Sequence, residues 1–331
     1  MKILVTGGAG YIGSTVASAL INAGHQPVIL DSLVTGRRDF VAGRQFYEGD
    51  IADGRVIDQL FTEHPDIEAV VHCAALIVVP ESVREPLRYY DNNVAKTTAL
   101  LGHLLRHDCR RLVFSSSASI YQPDPSDFAV DETSPVLPAS PYARTKAMVE
   151  SVLADVAATG EFGAVSLRYF NPIGADPRLR TGLQTVNPSH ALGKMIEAWE
   201  DGSVFPVTGT DWPTRDGTGI RDYIHVWDLA RAHVAAVERF DAVTAAGTDP
   251  GYNVINLGTG TGTTVRELLS AFCSAVGTTL ASKDVGPRPG DLPGAYTRRD
   301  RAAALLDWHP ELSIEDGIRH AMRWREVMAN Q

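Results

Sequence analysis

Short runs of consecutive apolar residues recur between residues 2 and 168: ILVT, PVIL, AVVHC, LVFSS and AVSLR. The stretches between them place apolar residues three and four apart, the first over residues 12–23. Runs this short and apolar at every position predict strands covered on both faces, and their alternation with helical periods predicts a parallel sheet built from βαβ units. Past Phe170 the pattern changes. Pro172, Gly174, Pro177, Gly182, Pro188, Gly209, Pro213, Gly217 and Gly219 interrupt shorter periodic pieces. Helical periods return at 226–240, 265–276 and 313–329, with a short strand at 252–256. Loops on a rigid scaffold vary without disturbing its core, so this half is expected to carry substrate specificity.

Composition narrows the function classes. Of 331 residues, 44% are hydrophobic and 21% charged, which is ordinary globular usage. The 30 Lys and Arg against 40 Asp and Glu give a net charge of -10, which repels a polyphosphate backbone, so no nucleic acid partner is expected. Cys73, Cys109 and Cys273 are far apart, with no CxxC pair and no neighbouring His cluster; neither a disulfide framework nor a metal site is expected, and a reducing cytoplasm fits. The chain begins a strand almost at once, leaving no room for a signal h-region. Its longest apolar run, 69–79, contains His72 and falls short of the ~18 residues that read as a membrane span.

The first strand runs into Gly7-Gly8-Ala9-Gly10-Tyr11-Ile12-Gly13 and then a helix. Glycines at such a turn let backbone N–H groups and the helix dipole approach a pyrophosphate. Asp31, at the end of the next strand, would accept the hydroxyls of an adenosine ribose and repel a 2′-phosphate. The expected cofactor is therefore NAD, although Arg37 and Arg38 lie near. An alternative is that Asp31 only caps a turn. Asp50 and Ile51 would close over the adenine, or Asp50 would cap a helix. The fold expected is thus α/β: a Rossmann-type doubly wound parallel sheet over residues 1–170, followed by a smaller mixed α/β substrate-binding region over 171–331 with later segments returning to the sheet.

A strand at 111–115 ends in Ser115-Ser116-Ser117, and the carboxyl ends of parallel strands are where such sheets bind ligands. Tyr142 and Lys146 follow at a spacing of four, which sets both on one helix face a turn apart. Tyrosine, with a reference pKa of ~10, is a poor base near neutrality unless a cation stabilises its phenolate. Lys146 would supply that cation, Ser117 would hydrogen-bond the reacting hydroxyl, and Tyr142 would take its proton as hydride leaves the same carbon.

With these residues placed, the chain resembles the extended short-chain dehydrogenase/reductase family and, within it, the UDP-glucose 4-epimerases. The matching stretches are TGGAGYIGS, YYDNNV, FSSSASIY, SPYARTK, LRYFNPIGA, DWPTRDGTGIRDYIHVWDLA, INLGTG and RPGDLP. The resemblance implies cofactor contacts at Gly7, Gly10, Tyr11, Ile12, Gly13, Asp31, Ser32, Asp50, Ile51, Cys73, Ala74, Ala75, Asn92, Ser115, Tyr142, Lys146 and Tyr169. It implies that Ser117, Tyr142, Asn171, Asn187, Arg221, Arg288 and Asp291 meet a UDP-sugar. It implies a homodimer, through helices such as 92–107 and 147–158, and an isomerase that oxidises C4 of a UDP-hexose and returns the hydride to the opposite face, with a UDP-N-acetylhexosamine, pentose or uronate as the alternative substrates. Several positions depart from the pattern: Ile77 replaces a frequent lysine, Gln122-Pro123 replaces a glycine, the segment 174–187 is short, Asn187-Pro188 replaces Asn-Leu, and Ala295 stands where some members carry tyrosine. A 4,6-dehydratase would need Asp-Glu after its active-site hydroxyl residue, where this chain has Ala118 and Ser119. A cofactor-sensing regulator would have no use for Ser117, Tyr142 and Lys146 together.

Overall fold

The computed structural model describes residues 1–124, 126–185, 188, 190–287, 293–298 and 300–330. Seven strands form one sheet: β1 (Lys2–Thr6), β2 (Gln26–Asp31), β3 (Gln45–Glu48), β4 (Ile67–His72), β5 (Arg111–Ser115), β6 (Gly163–Tyr169) and β7 (Tyr252–Leu257). Their order is β7-β6-β5-β4-β1-β2-β3, every pair parallel. The order reverses between β1 and β4, the switch point at which doubly wound sheets open a crevice. β7 joins the far edge from well past residue 171.

Eight helices of ten or more residues stand among the described residues: α1 (Tyr11–Asn22), α2 (Gly54–Glu63), α3 (Lys96–Arg106), α4 (Pro141–Ala158), α5 (Ala191–Glu200), α6 (Val226–Glu238), α7 (Val265–Val276) and α8 (Ile314–Ala329). Alternate residues of each central strand enter different cores. Ile3, Val5, Ala69, Val71, Val113, Val165 and Leu167 pack with Val16 and Leu20 of α1 and Leu229, Ala232 and Val237 of α6. Leu4, Val70, Leu112, Phe114 and Ala164 pack with Ile57 and Leu60 of α2, Leu100 and Leu104 of α3, and Val149 and Leu153 of α4. Both faces are therefore dry, which is why these strands read as unbroken apolar runs; each fully buried aliphatic side chain contributes about 1.5–3 kcal/mol. A third core joins α5, α7 and α8 around Phe205, Val207 and Tyr223.

The carboxyl ends of the strands lie level, since Thr6 pairs with Leu30 and His72, His72 with Phe114, and Ser115 with Leu167. The residues that follow, from Gly7, Asp31, Cys73 and Ser116, are thereby delivered to one edge of the sheet.

Candidate active site

The turn after β1 is shaped by contacts that exclude side chains. Gly7 has φ +70°, and a Cβ there would lie 2.6 Å from the Ala74 backbone nitrogen; a Cβ on Gly13 would lie 2.2 Å from the Gly7 carbonyl oxygen. Helix α1 starts at Gly10 with no side-chain cap, so its first N–H groups remain available to an anion. Asp31 is buried at the end of β2, where its carboxylate accepts from the Ala9 N–H (2.9 Å) and the Leu33 N–H (2.8 Å). Burial raises its pKa, and these two bonds oppose the rise. Asp31 thus stitches the glycine turn to β2, so the turn-capping alternative describes part of its work. Each oxygen keeps a lone pair for a hydroxyl donor. The neighbouring arginines are engaged by acids: Arg37 pairs with Asp39 at 2.7 Å and Arg38 with Glu48. This turn, uncapped helix and carboxylate fit a dinucleotide without a 2′-phosphate.

Asp50 is not a helix cap. Asp53 caps α2 by accepting from the Arg55 N–H (3.0 Å), whereas Asp50 accepts from the Ala52 N–H (2.9 Å) and pairs with Lys96. Tyr11 donates its hydroxyl to the Gly174 carbonyl (2.7 Å), tying the glycine turn to the second half of the chain.

Ser140 and Pro141 start α4. The Ser140 hydroxyl accepts from the Ala143 N–H (3.1 Å), and Pro141 fits the first helical turn, where no N–H is needed. Tyr142 and Lys146 follow on the buried face, 7% and 3% exposed. The Lys146 ammonium donates to the Ser115 carbonyl (2.8 Å) and lies 6.0 Å from the Tyr142 ring centroid. Ser117 caps the 3₁₀ turn Ala118–Ile120, its hydroxyl accepting from the Ser119 N–H (3.2 Å). Burial raises the Tyr142 pKa, and a hydrogen bond from Ser117 opposes the rise. Burial pushes Lys146 down to about 8, against the opposing influence of Cys73 and Glu150. The pocket by itself therefore favours a neutral phenol and holds the ammonium less firmly than water does.

Ser115 and Tyr169 complete the cluster. The Ser115 hydroxyl meets Cys73 Sγ at 3.1 Å and His233 Nε2 at 2.9 Å, and it also shares a hydrogen bond with the buried Tyr169. His233 Nδ1 meets the Leu229 carbonyl at 2.9 Å, which assigns the proton to Nδ1 and makes Nε2 the acceptor for Ser115.

The structure adds Asn93, which sequence reasoning passed over in favour of Asn92. Asn93 accepts from the Leu76 N–H (2.9 Å) and donates to the Leu76 carbonyl (2.9 Å) and the Thr145 hydroxyl (3.1 Å), knitting the loop after β4 to α4. Asn92 is half-buried and donates to Asn93 (3.0 Å). The doublet Asn92-Asn93 lies in a π-helical turn, Asp91–Ala95, whose wider spacing no helical period reveals.

On the substrate side, Asn171 begins a strand, Asn171–Ile173, that pairs with Tyr223–His225. Arg221 donates to the Ile220 carbonyl (2.7 Å) and to the Pro293 carbonyl. Asp222, the residue after Arg221, is buried and unanticipated; it accepts from the Thr259 N–H and hydroxyl (both 2.7 Å) and the Gly260 N–H (3.1 Å). Asn187, Arg288 and Asp291 lie outside the described residues. Among the described residues no cluster of His, Cys, Asp or Glu could hold a metal ion, and no helix is long and apolar enough to cross a membrane.

The glycine turn fits a dinucleotide, and comparison with known proteins gives the family. Residues 3–258 match the NAD dependent epimerase/dehydratase family. The chain belongs to that family. The UDP-glucose 4-epimerase of Yersinia pestis is 39% identical over 339 residues, covering 98% of this chain and 97% of the relative. The crystal structure of UDP-glucose 4-epimerase from Stenotrophomonas maltophila with bound NAD and formylated UDP-arabinopyranose superposes with a TM-score of 0.93 at 38% identity, covering 100% of this chain and 99% of that one. The UDP-Glc/GlcNAc 4-epimerase of Campylobacter jejuni gives 0.81 at 34% identity, covering 98% and 99%. In this member of the epimerase/dehydratase family the rate is expected to fall as pH rises through about 8, because the Lys146 ammonium is present below that value and lost above it. A pH profile of kcat checks this; a flat profile to pH 10 would remove the ammonium from the account.

Proposed function

We propose that this protein inverts the 4-hydroxyl of a UDP-hexose, interconverting UDP-glucose and UDP-galactose with NAD as its resident cofactor. The observation that carries the reading is the buried group formed by Ser117, Tyr142 and Lys146 at the same sheet edge as the Gly7–Gly13 turn. Gly10, Ile12, Gly13 and Asp31 would hold the dinucleotide. When bound, NAD supplies the hydride acceptor and a positive ring.

Tyr142 accepts the proton of the sugar 4-hydroxyl, Ser117 orients that hydroxyl, and Lys146 keeps positive charge beside the phenolate that would otherwise be costly to form in a buried site. The same tyrosine gives the proton back after the sugar has turned over, so no net proton leaves the site. Asn171 and Arg221 would grip the uridine diphosphate, the guanidinium matching phosphate oxygens; Asn187, Arg288 and Asp291 are assigned to that role on sequence resemblance. Affinity placed in the nucleotide leaves the hexose free to rotate. A homodimer through the outer faces of α3 and α4, in the reducing cytoplasm, completes the proposal; sedimentation at twice the chain mass would support it.

Incubation with a panel of UDP-sugars and identification of the products tests the reading, and absence of any 4-epimer would overturn it. Ala295, half-buried and packed against Ile120 and Tyr121, is smaller than the tyrosine that some family members carry at this position. UDP-N-acetylglucosamine is therefore expected to turn over as well, and Ala295→Tyr to suppress that reaction selectively. Equal loss of both activities would remove Ala295 from the specificity account.

A further inference from the structure

One buried acid on the catalytic helix has no part in the reaction described so far. Glu150 lies one turn beyond Lys146 and two turns beyond Tyr142 on α4, and is 6% exposed. Its Oε1 accepts from the Ser116 hydroxyl and from Arg168 Nε (3.0 Å), and its Oε2 accepts from Arg168 Nε (3.1 Å) and Nη2. Arg168, on β6 and 7% exposed, passes the linkage on by donating to the Tyr121 hydroxyl (2.7 Å), which in turn donates to Asn256 Oδ1 (2.8 Å) on β7.

Ser116 is the middle residue of the turn that carries both functional partners of α4. Its neighbour Ser115 presents the carbonyl that receives the Lys146 ammonium, and its other neighbour is Ser117. The hydroxyl of Ser116 is held by the acid of the very helix that bears Tyr142 and Lys146. A carboxylate kept away from water by a fork of guanidinium bonds is a rigid anchor, because breaking any one link leaves a buried charge without its partner.

We infer that Glu150 is a positioning residue: through Ser116 it fixes the serine turn against the helix that carries Tyr142 and Lys146, and its negative charge faces the Lys146 ammonium. The inference rests on the proposed epimerase reading. The titratable groups around that ammonium are His72 and Cys73 from β4 and its following loop, Tyr142 and Glu150 from α4 itself, and Tyr169 from β6 beyond Cys73. Burial holds His72 neutral near neutrality, its pKa pushed down to about 3, and holds Cys73 as a thiol, pushed up to about 11. Glu150 is the carboxylate of this set, and its partner Arg168 lies on β6.

Two substitutions separate the two parts of the role, assayed on purified protein with its own dinucleotide. Glu150→Gln keeps an oxygen for Ser116 and removes the charge. It is expected to retain dinucleotide on gel filtration and leave KM for UDP-glucose unchanged. The alkaline limb of kcat should move to lower pH by about one unit, a tenfold change in the proton affinity of Lys146. Ser116→Ala keeps the charge and cuts the link, and is expected to leave the limb in place, lower kcat about tenfold, and speed backbone hydrogen exchange over residues 115–121. Should Glu150→Gln fail to fold, Glu150→Gln with Arg168→Met leaves no guanidinium unpaired, and its limb is compared with that of Arg168→Met alone, so that the difference reads the Glu150 charge. A wild-type limb in the Gln variant, or wild-type kcat and exchange in the Ala variant, overturns the inference while wild-type turnover still upholds the epimerase reading. Absence of turnover in the wild type overturns the reading itself.

Discussion

Replacing Tyr142 by Phe is expected to lower kcat by roughly 10²–10⁴-fold, the usual loss when a positioned proton acceptor is removed. The ring remains, so the packing with Leu76 and Tyr89 persists and the fold should be undisturbed. The cofactor should remain as well, since the glycine turn and Asp31 do not touch the phenol oxygen. What is lost is the single atom that exchanges a proton with the sugar hydroxyl. Steady-state turnover of UDP-glucose, measured alongside the dinucleotide content of the same preparation, checks both halves. Turnover within a few-fold of wild type would discard Tyr142 as the base, and loss of dinucleotide would mean that it serves binding instead.

Gly13→Ala should abolish dinucleotide binding and activity together. Two effects compete at this position. Alanine favours a helix over glycine by about 1 kcal/mol, so an ordinary helical glycine gains stability from this change. At Gly13 the added carbon would sit 2.2 Å from the Gly7 carbonyl oxygen, a backbone atom that cannot swing aside, and relieving such overpacking typically costs about 1–3 kcal/mol. The clash wins, and it is relieved only by opening the turn that would receive the pyrophosphate. Gly102→Ala supplies the control. Gly102 is exposed within α3, with nothing within 4 Å of an added Cβ, so there the same change should stabilise. Thermal unfolding of the two variants should move in opposite directions, with cofactor content falling in Gly13→Ala alone; bound dinucleotide at wild-type levels in Gly13→Ala would refute the tight turn.

Much of this site is legible in the sequence because its parts obey short-range rules. The glycine turn, the serines at the end of β5 and the Tyr142–Lys146 spacing each follow from local geometry. Helix α7 is read to the residue, since Thr264 and Glu267 form a capping box at its start and Gly277, at φ +70°, stops it. Other features escape for equally physical reasons. Strand β3 is an edge strand whose QFYE sequence has no apolar run, and only its pairing with β2 makes it a strand. Asn93, Glu150, Arg168 and Asp222 act through partners far along the chain, such as Leu76 and Thr145 for Asn93 and Ser116 for Glu150. A buried polar residue looks like a surface one until its partners are known. The helix period of α4 places Glu150 on the Tyr142 and Lys146 face, and that placement is the one signal that could have singled it out.

In the proposed reaction the hydrogen on C4 leaves and returns within one unbroken encounter. UDP-glucose carrying deuterium at C4 is mixed with undeuterated UDP-glucose bearing carbon-13 in the hexose, and the UDP-galactose formed without added NAD is read by mass spectrometry. Deuterium is expected to stay on the molecules that brought it, with none passed to the carbon-13 pool and none lost to water. Label washed into solvent, or turnover that begins only when NAD is supplied, would contradict it.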